Sequence, residues 1–187
     1  MDMKKDNILN AALQLFITGG FQGTPTLKIA LKAGVSNGTL FRYFPNKQEL
    51  INALYMRCKD SGINAYKDGL EKIGELKDKI TYLCENAIKW VTLNKQDYLF
   101  FQQFENSPYI NTITKEEVTK KMYFLTNIIE EGKRQKLVKQ VSTNLILDII
   151  FGIVYASMSH YIENIENVEV SKYVQDIAEF VWDSIKI

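Results

Sequence analysis

The sequence predicts an all-α fold, on three observations. Apolar side chains recur at spacings of three and four along most of the 187 residues, caps and breakers stand where those stripes begin and end, and alternating strand patterning is scarce. A composition that is 46% hydrophobic and 12% aromatic is enough to fill a core in one to two small domains.

In the first helix, Ile8, Ala12, Leu15 and Phe16 form a stripe with Leu9 and Leu13 alongside, and this face should cover the back of the helices that follow. A second helix starts at Thr24, whose side-chain oxygen offers itself to orphan amides, and at Pro25, whose missing N–H costs nothing there. Its core face is expected at Leu27, Ala30 and Leu31, bordered by Ile29 and Ala33. Gly34 stops that helix in a left-handed conformation, and Val35 turns the chain. Ser36 then caps a third helix whose exposed first turn is small and polar, Asn37, Gly38 and Thr39, with Leu40, Tyr43 and Phe44 on the packing side. Pro45 ends it. Asn46 and Glu49 have capping-box spacing, which puts Lys47 in the first turn of a fourth helix carrying Leu50, Ile51, Leu54 and Tyr55 and running past Cys58 towards Ala65.

Beyond residue 60 a long helix is expected from about Leu70 to Leu93, with Ile80, Leu83, Cys84, Ala87, Ile88 and Val91 inward and Gly69 and Gly74 weakening its start. A short aromatic helix follows at about Gln96 to Glu105. Another begins at Lys115, with Val118, Met122, Leu125, Ile128 and Ile129 inward, and ends in the basic run at 133–136. The last two span about Ser142 to Ile162 and Val170 to Ile185. The former is apolar nearly all round, so it must be covered on more than one side.

Net charge is only +1, but its distribution is uneven: residues 1–60 hold eight Lys/Arg against four Asp/Glu, and the remainder holds 15 against 18. A basic head on an acidic body suits a protein that presents one end to a polyanion. The opening residues MDMKKDN lack the apolar segment of a signal peptide, and the longest apolar run, Leu145 to Ser159, is broken by Asp148 and too short to span a bilayer. A soluble, cytoplasmic protein with no membrane partner is expected. Cys58 and Cys84 have no metal-ligand or redox spacing and read as buried thiols. His160 is the only histidine, which excludes a multi-histidine metal site, and Asp148 lies about 18 Å from it along one helix, too far for a dyad. No nucleotide-binding glycine loop or nucleophile elbow is present, so no catalytic residue, metal or cofactor is assigned and the protein is not expected to be an enzyme.

The helix-turn-helix stretch resembles the TetR family of bacterial transcriptional regulators, through Ile29, Ala30, Ala33, Gly34, Val35, Ser36, Gly38, Thr39, Leu40, Phe41, Tyr43, Phe44, Lys47, Glu49 and Leu50. The upstream run Ile8, Leu9, Ala11, Ala12, Leu15, Phe16, Gly20 and Phe21 matches the family's first helix. The resemblance implies a helix-turn-helix DNA-binding domain at 1–60 and a helical effector-binding and dimerisation domain at 61–187. It implies phosphate contacts from Thr26, Ser36, Thr39, Tyr43 and Lys47, with Lys28 adding a backbone contact. Asn37 and Arg42 are the base readers, pairing with adenine and guanine edges, and Gly38 permits close approach. Phe41 stands where the family has tyrosine; it can touch a thymine methyl but cannot donate a hydroxyl.

The expected partners are double-stranded DNA carrying a palindromic operator, a second copy bound through the last two helices as a four-helix bundle, and a small apolar or aromatic effector. Two heads would read half-sites about 34 Å, or a multiple, apart. The concentration of aromatics in the body suggests a small-molecule pocket, with Trp90, Tyr98, Phe101, Gln102, Glu105, Tyr123, Asn127, Tyr155 and His160 as candidate lining residues. The resulting expectation is a one-component repressor released by its effector. The alternatives are an effector-independent or activating regulator and, from another class, a carrier or enzyme using the aromatic pocket.

Overall fold

The computed structural model describes residues 2–187. They form ten α-helices and no strand, beyond one isolated antiparallel bridge between Val138 and Lys186. The helices are α1 (Met3–Gly19), α2 (Thr26–Lys32), α3 (Asn37–Tyr43), α4 (Lys47–Lys67), α5 (Leu76–Leu93), α6 (Lys95–Phe104), α7 (Thr112–Lys121), α8 (Tyr123–Arg134), α9 (Thr143–Asn164) and α10 (Val170–Ile185). Two compact units result, one from residues up to 61 together with 94–118, the other from 62–93 together with 119–187. By packing, α6 and most of α7 group with the residues up to 61.

In the first unit α1 is stopped at Gly20, whose N–H donates to the Phe16 carbonyl at 2.9 Å, and it buries Ile8, Leu9, Ala11, Ala12, Leu13 and Phe16. α6 packs on α1. The contact is aromatic: the Phe16 ring lies 6.3 Å from Phe100 and 5.9 Å from Phe104, which stack on each other at 4.8 Å, while Phe21 stacks on Tyr109 at 3.9 Å. Asn52, buried on α4, donates to the Tyr109 carbonyl and accepts from the Asn111 amide, each at 2.9 Å, fixing the loop after α6.

Two expectations for α2 are corrected. Ile29 and Ala30 are fully buried and Ala33 nearly so, whereas Leu27 is 56% and Leu31 71% exposed, because the helix is rotated so that 29, 30 and 33 form the inner face. Thr24 does not cap α2: Pro25 holds the cap position without a side-chain bond, and the buried Thr24 hydroxyl sits within hydrogen-bond distance of the Leu15 and Gly20 carbonyls, at 3.0 and 2.8 Å. The tight turn is as expected, with Gly34 at φ +68°.

In the second unit α5 packs on α9 and α10, and α8 and α10 pack on α9. The long helix expected from Leu70 starts only at Leu76, after a separate 3-10 turn at Leu70–Lys72, and the single helix expected from Lys115 is two, α7 and α8, divided at Met122. Gly132 is where α8 meets its neighbours: a Cβ there would lie 2.5 Å from Leu76 and 2.8 Å from Val138. α9 runs 22 residues, about 33 Å, so it is long and apolar enough to cross a membrane by length and composition, contrary to the shorter run expected. Since α5, α8 and α10 all pack against it, α9 serves as the central helix of this unit.

Candidate nucleic-acid interface and effector cavity

The third helix is held at its start by Ser36, whose hydroxyl accepts the Thr39 amide at 3.1 Å and lies 2.9 Å from the Thr39 hydroxyl. This cap fixes the first turn of α3. Ser36, Gly38, Phe41 and Arg42 are exposed, as is Lys28 on α2, while Thr26, Asn37, Thr39, Tyr43 and Lys47 are half-buried. A Cβ built on Gly38 would meet nothing closer than the Ser36 hydroxyl at 3.9 Å. Glycine in a helix interior costs about 1 kcal/mol relative to alanine, and the protein's own packing does not require it here. A small residue at this exposed first turn suits close approach by a phosphate backbone to helix amides.

Two of the expected contact residues, Tyr43 and Lys47, are engaged inside the unit, and a third, Asn37, buries its side-chain oxygen without a hydrogen-bond partner. The Tyr43 hydroxyl donates to Asp2 at 2.6 Å. Lys47 is not a free phosphate clamp: its ammonium donates to the Phe21 carbonyl and lies 4.3 Å from the Phe21 ring centroid, and burial lowers its pKa. The capping geometry that places Lys47 is as expected, with the Glu49 amide donating to the Asn46 side chain at 2.8 Å.

The candidate effector residues do not come together. Tyr98 and Phe101 are buried in the first unit, where Lys59 bonds Glu105 at 3.0 Å and lies 3.5 Å from the Phe101 ring centroid. Burial drives the Lys59 pKa down and the Glu105 charge opposes this. Gln102, on the same helix, is exposed. Nearby, the Cys58 thiol donates to Asp97 at 2.9 Å, and burial, then the Asp97 charge, push its pKa up. In the second unit Tyr123, Asn127 and His160 are exposed, and His160 lies beside Tyr173, ring centroids 6.0 Å apart. Trp90 is buried and meets Tyr66 edge-on at 6.4 Å.

Of the candidates, Tyr155 lines a cavity in the second unit. That cavity, about 80 Å³ within the second unit, is bounded by Leu83, Cys84 and Ala87 of α5, Leu125 and Ile128 of α8, Ile150, Phe151 and Val154 of α9, and Tyr66 of α4. Its wall is almost wholly apolar, aliphatic side chains with the rings of Tyr66, Phe151 and Tyr155 among them. The Cys84 thiol in it is pushed up to about 12 by burial, with the Glu85 charge adding. Aromatic density had pointed elsewhere; the informative signal was that α5, α8 and α9 each carry apolar side chains wider than one neighbour needs. Among the described residues no group of three or more His, Cys, Asp or Glu could hold a metal ion.

A capped, glycine-bearing helix after a tight turn, in an all-α chain with a second helical unit, defines a DNA-binding regulator of the helix-turn-helix class. Two family models match the chain: bacterial regulatory proteins of the tetR family over residues 8–54, and the tetracyclin repressor-like C-terminal domain over 63–187. The chain belongs to the TetR family and is a DNA-binding transcriptional regulator. It is 53% identical over 47 residues to the HTH-type transcriptional regulator YvkB of Bacillus subtilis, a match that spans a quarter of each chain. A TetR-family regulator from Shewanella sp. PV-4 shares the fold with a TM-score of 0.92 at 28% identity, over 98% of both chains. FadR from Bacillus subtilis, solved with stearoyl-CoA, shares the fold with a TM-score of 0.79 at 19% identity, over 94% of this chain and 96% of that one.

Proposed function

We propose that this regulator is a cytoplasmic one-component repressor, which reads a palindromic operator as a homodimer and is released when an apolar effector enters the second unit. The apolar cavity is the observation that carries this reading: a void lined by α5, α8 and α9 together with Tyr66 of α4 offers an apolar chain a site and almost no polar fixing. The stearoyl-CoA held by the structurally similar FadR is of the kind such a wall suits. Tyr66 lies on the helix whose first residue is Lys47, so an effector that displaces Tyr66 acts on α4 itself. The homodimer is supported by an uncovered apolar face: Leu145 and Ile149 on α9 and Phe180 on α10 are exposed, and a Cβ on Gly152 would meet nothing within 4 Å. On the DNA side, Ser36, Thr39, Arg42 and Gly38 are the residues expected to meet the duplex, joined by Lys47 once it leaves the Phe21 carbonyl.

Salt-dependent binding of a labelled duplex drawn from the protein's own upstream DNA tests the reading. Arg42→Ala and Lys47→Ala are each expected to weaken binding, and Lys47→Ala to lower the salt slope by about one. A long-chain acyl thioester is expected to lower operator affinity at least about tenfold, and Ala87→Phe, which fills the cavity, to abolish that response while leaving DNA binding in place. Unchanged affinity and slope in both head variants would overturn the DNA reading. Release by thioester that persists undiminished in Ala87→Phe would overturn the effector site.

A further inference from the structure

Asp2 is fixed in place by its role as the cap of α1. Its Oδ1 accepts the Lys4 amide at 3.1 Å, and its carbonyl accepts the Asp6 amide at 3.1 Å. The other carboxylate oxygen, Oδ2, accepts the Tyr43 hydroxyl at 2.6 Å, joining residues 41 apart in sequence. That length belongs to the charge-assisted O–H···O⁻ class, which a phenol also makes to a phosphate oxygen. The hydroxyl has one proton to give.

We propose that Asp2 is an internal competitor of the DNA backbone: in the free protein its carboxylate holds the Tyr43 hydroxyl in the manner of a phosphate oxygen, and it thereby sets DNA affinity without touching a base. The inference rests on the reading of α3 as the DNA-facing helix. Tyr43 is the last residue of that helix and follows Arg42. On binding, either the hydroxyl leaves Asp2 for a phosphate, at the cost of the existing bond, or Asp2 keeps it and one backbone contact is lost. In both cases a carboxylate remains near a polyanion. The hydrogen bond from Tyr43 holds the Asp2 carboxyl below the usual carboxylate range, so the competitor is charged at neutral pH. The contact lies at the surface, where its exchange needs no repacking.

A double-mutant cycle in fluorescence anisotropy, using a labelled duplex selected from a random library at about 100 mM salt, tests this. Asp2→Asn keeps a strong helix cap and removes the charge, so α1 still starts where it does. It is expected to bind roughly three- to tenfold more tightly than the unaltered protein. In a Tyr43→Phe background the same change is expected to gain less than about twofold, since no hydroxyl is then released. No gain from Asp2→Asn overturns the proposal, and an equal gain in both backgrounds overturns it by reducing Asp2 to a plain surface charge. Arg42→Ala in the same assay keeps the two readings apart: lost binding there upholds α3 as the DNA-facing helix whatever Asp2 does, and unchanged binding overturns both.

Discussion

The two units use similar residue types to opposite ends. In the first, aromatic rings pack around Phe16: Phe100 and Phe104 stack on each other and meet it tilted and edge-on, and Phe21 stacks on Tyr109. In the second, three helices with wide apolar faces leave about 80 Å³ unfilled at their centre, and α9 also keeps Leu145 and Ile149 exposed. A ring-filled interior resists deformation, because each displaced ring loses contacts that nothing else replaces. An apolar interior with a void can be repacked around a guest. The difference suits the first unit to holding its shape and the second to the effector response proposed above.

The largest test of that contrast is a pair of truncations. Phe100→Ala removes a fully buried ring and is expected to destabilise the protein by about 3–5 kcal/mol. Phe151→Ala, half-buried beside the existing cavity, is expected to cost about 1–2 kcal/mol. Urea denaturation followed by circular dichroism measures both, and equal losses would break the comparison.

A second test concerns the outward face of the responsive unit. Phe180→Glu, at a position 70% exposed, is expected to raise the dissociation constant of the proposed dimer at least about tenfold while leaving helicity unchanged. Sedimentation velocity over a dilution series reads this directly.

The smallest effect is alkaline. The Cys84 thiol ionises at about 12 in the folded protein against an ordinary value of 9.0, so its contribution to stability is complete below 9.0 and is lost as pH rises towards 12. Between pH 7 and pH 10 the unaltered protein is expected to lose about 1 kcal/mol more than Cys84→Ala. Denaturation midpoints at the two pH values give the difference, and parallel losses would show that the cavity wall does not hold the thiol away from water.

Legibility in the sequence followed the range of the interaction. Gly34, Ser36 and the pair Asn46 and Glu49 act on amides within four residues, and the structure shows each in the expected role. α2 was harder. With apolar residues at 27, 29, 30 and 31, a seven-residue helix has no single periodic face, and only its neighbours decide that Leu27 and Leu31 turn outward. Capping is a local expectation for Thr24, yet its hydroxyl points back to the Gly20 and Leu15 carbonyls, four and nine residues upstream. The aromatic run from 98 to 104 marked packing density correctly but not its location, since ring content is silent on which of two units a helix joins. The engagement of Tyr43 by Asp2 and of Lys47 by the Phe21 carbonyl spans 41 and 26 residues, which no local pattern encodes.

The size of the cavity also sets a time dependence. Pockets that hold small molecules enclose about 300–1,000 Å³, several times the roughly 80 Å³ open here, so the effector proposed above would be accommodated only if α5, α8 and α9 move apart. On that proposal uptake is gated. Its observed rate rises with effector concentration and levels off at the opening rate, and the apparent affinity is weaker than the intrinsic one by the fraction of molecules that are open. A substitution that widens the void, such as Phe151→Ala, should lift that plateau and sensitise the regulator to lower effector concentrations without adding a single contact to the ligand.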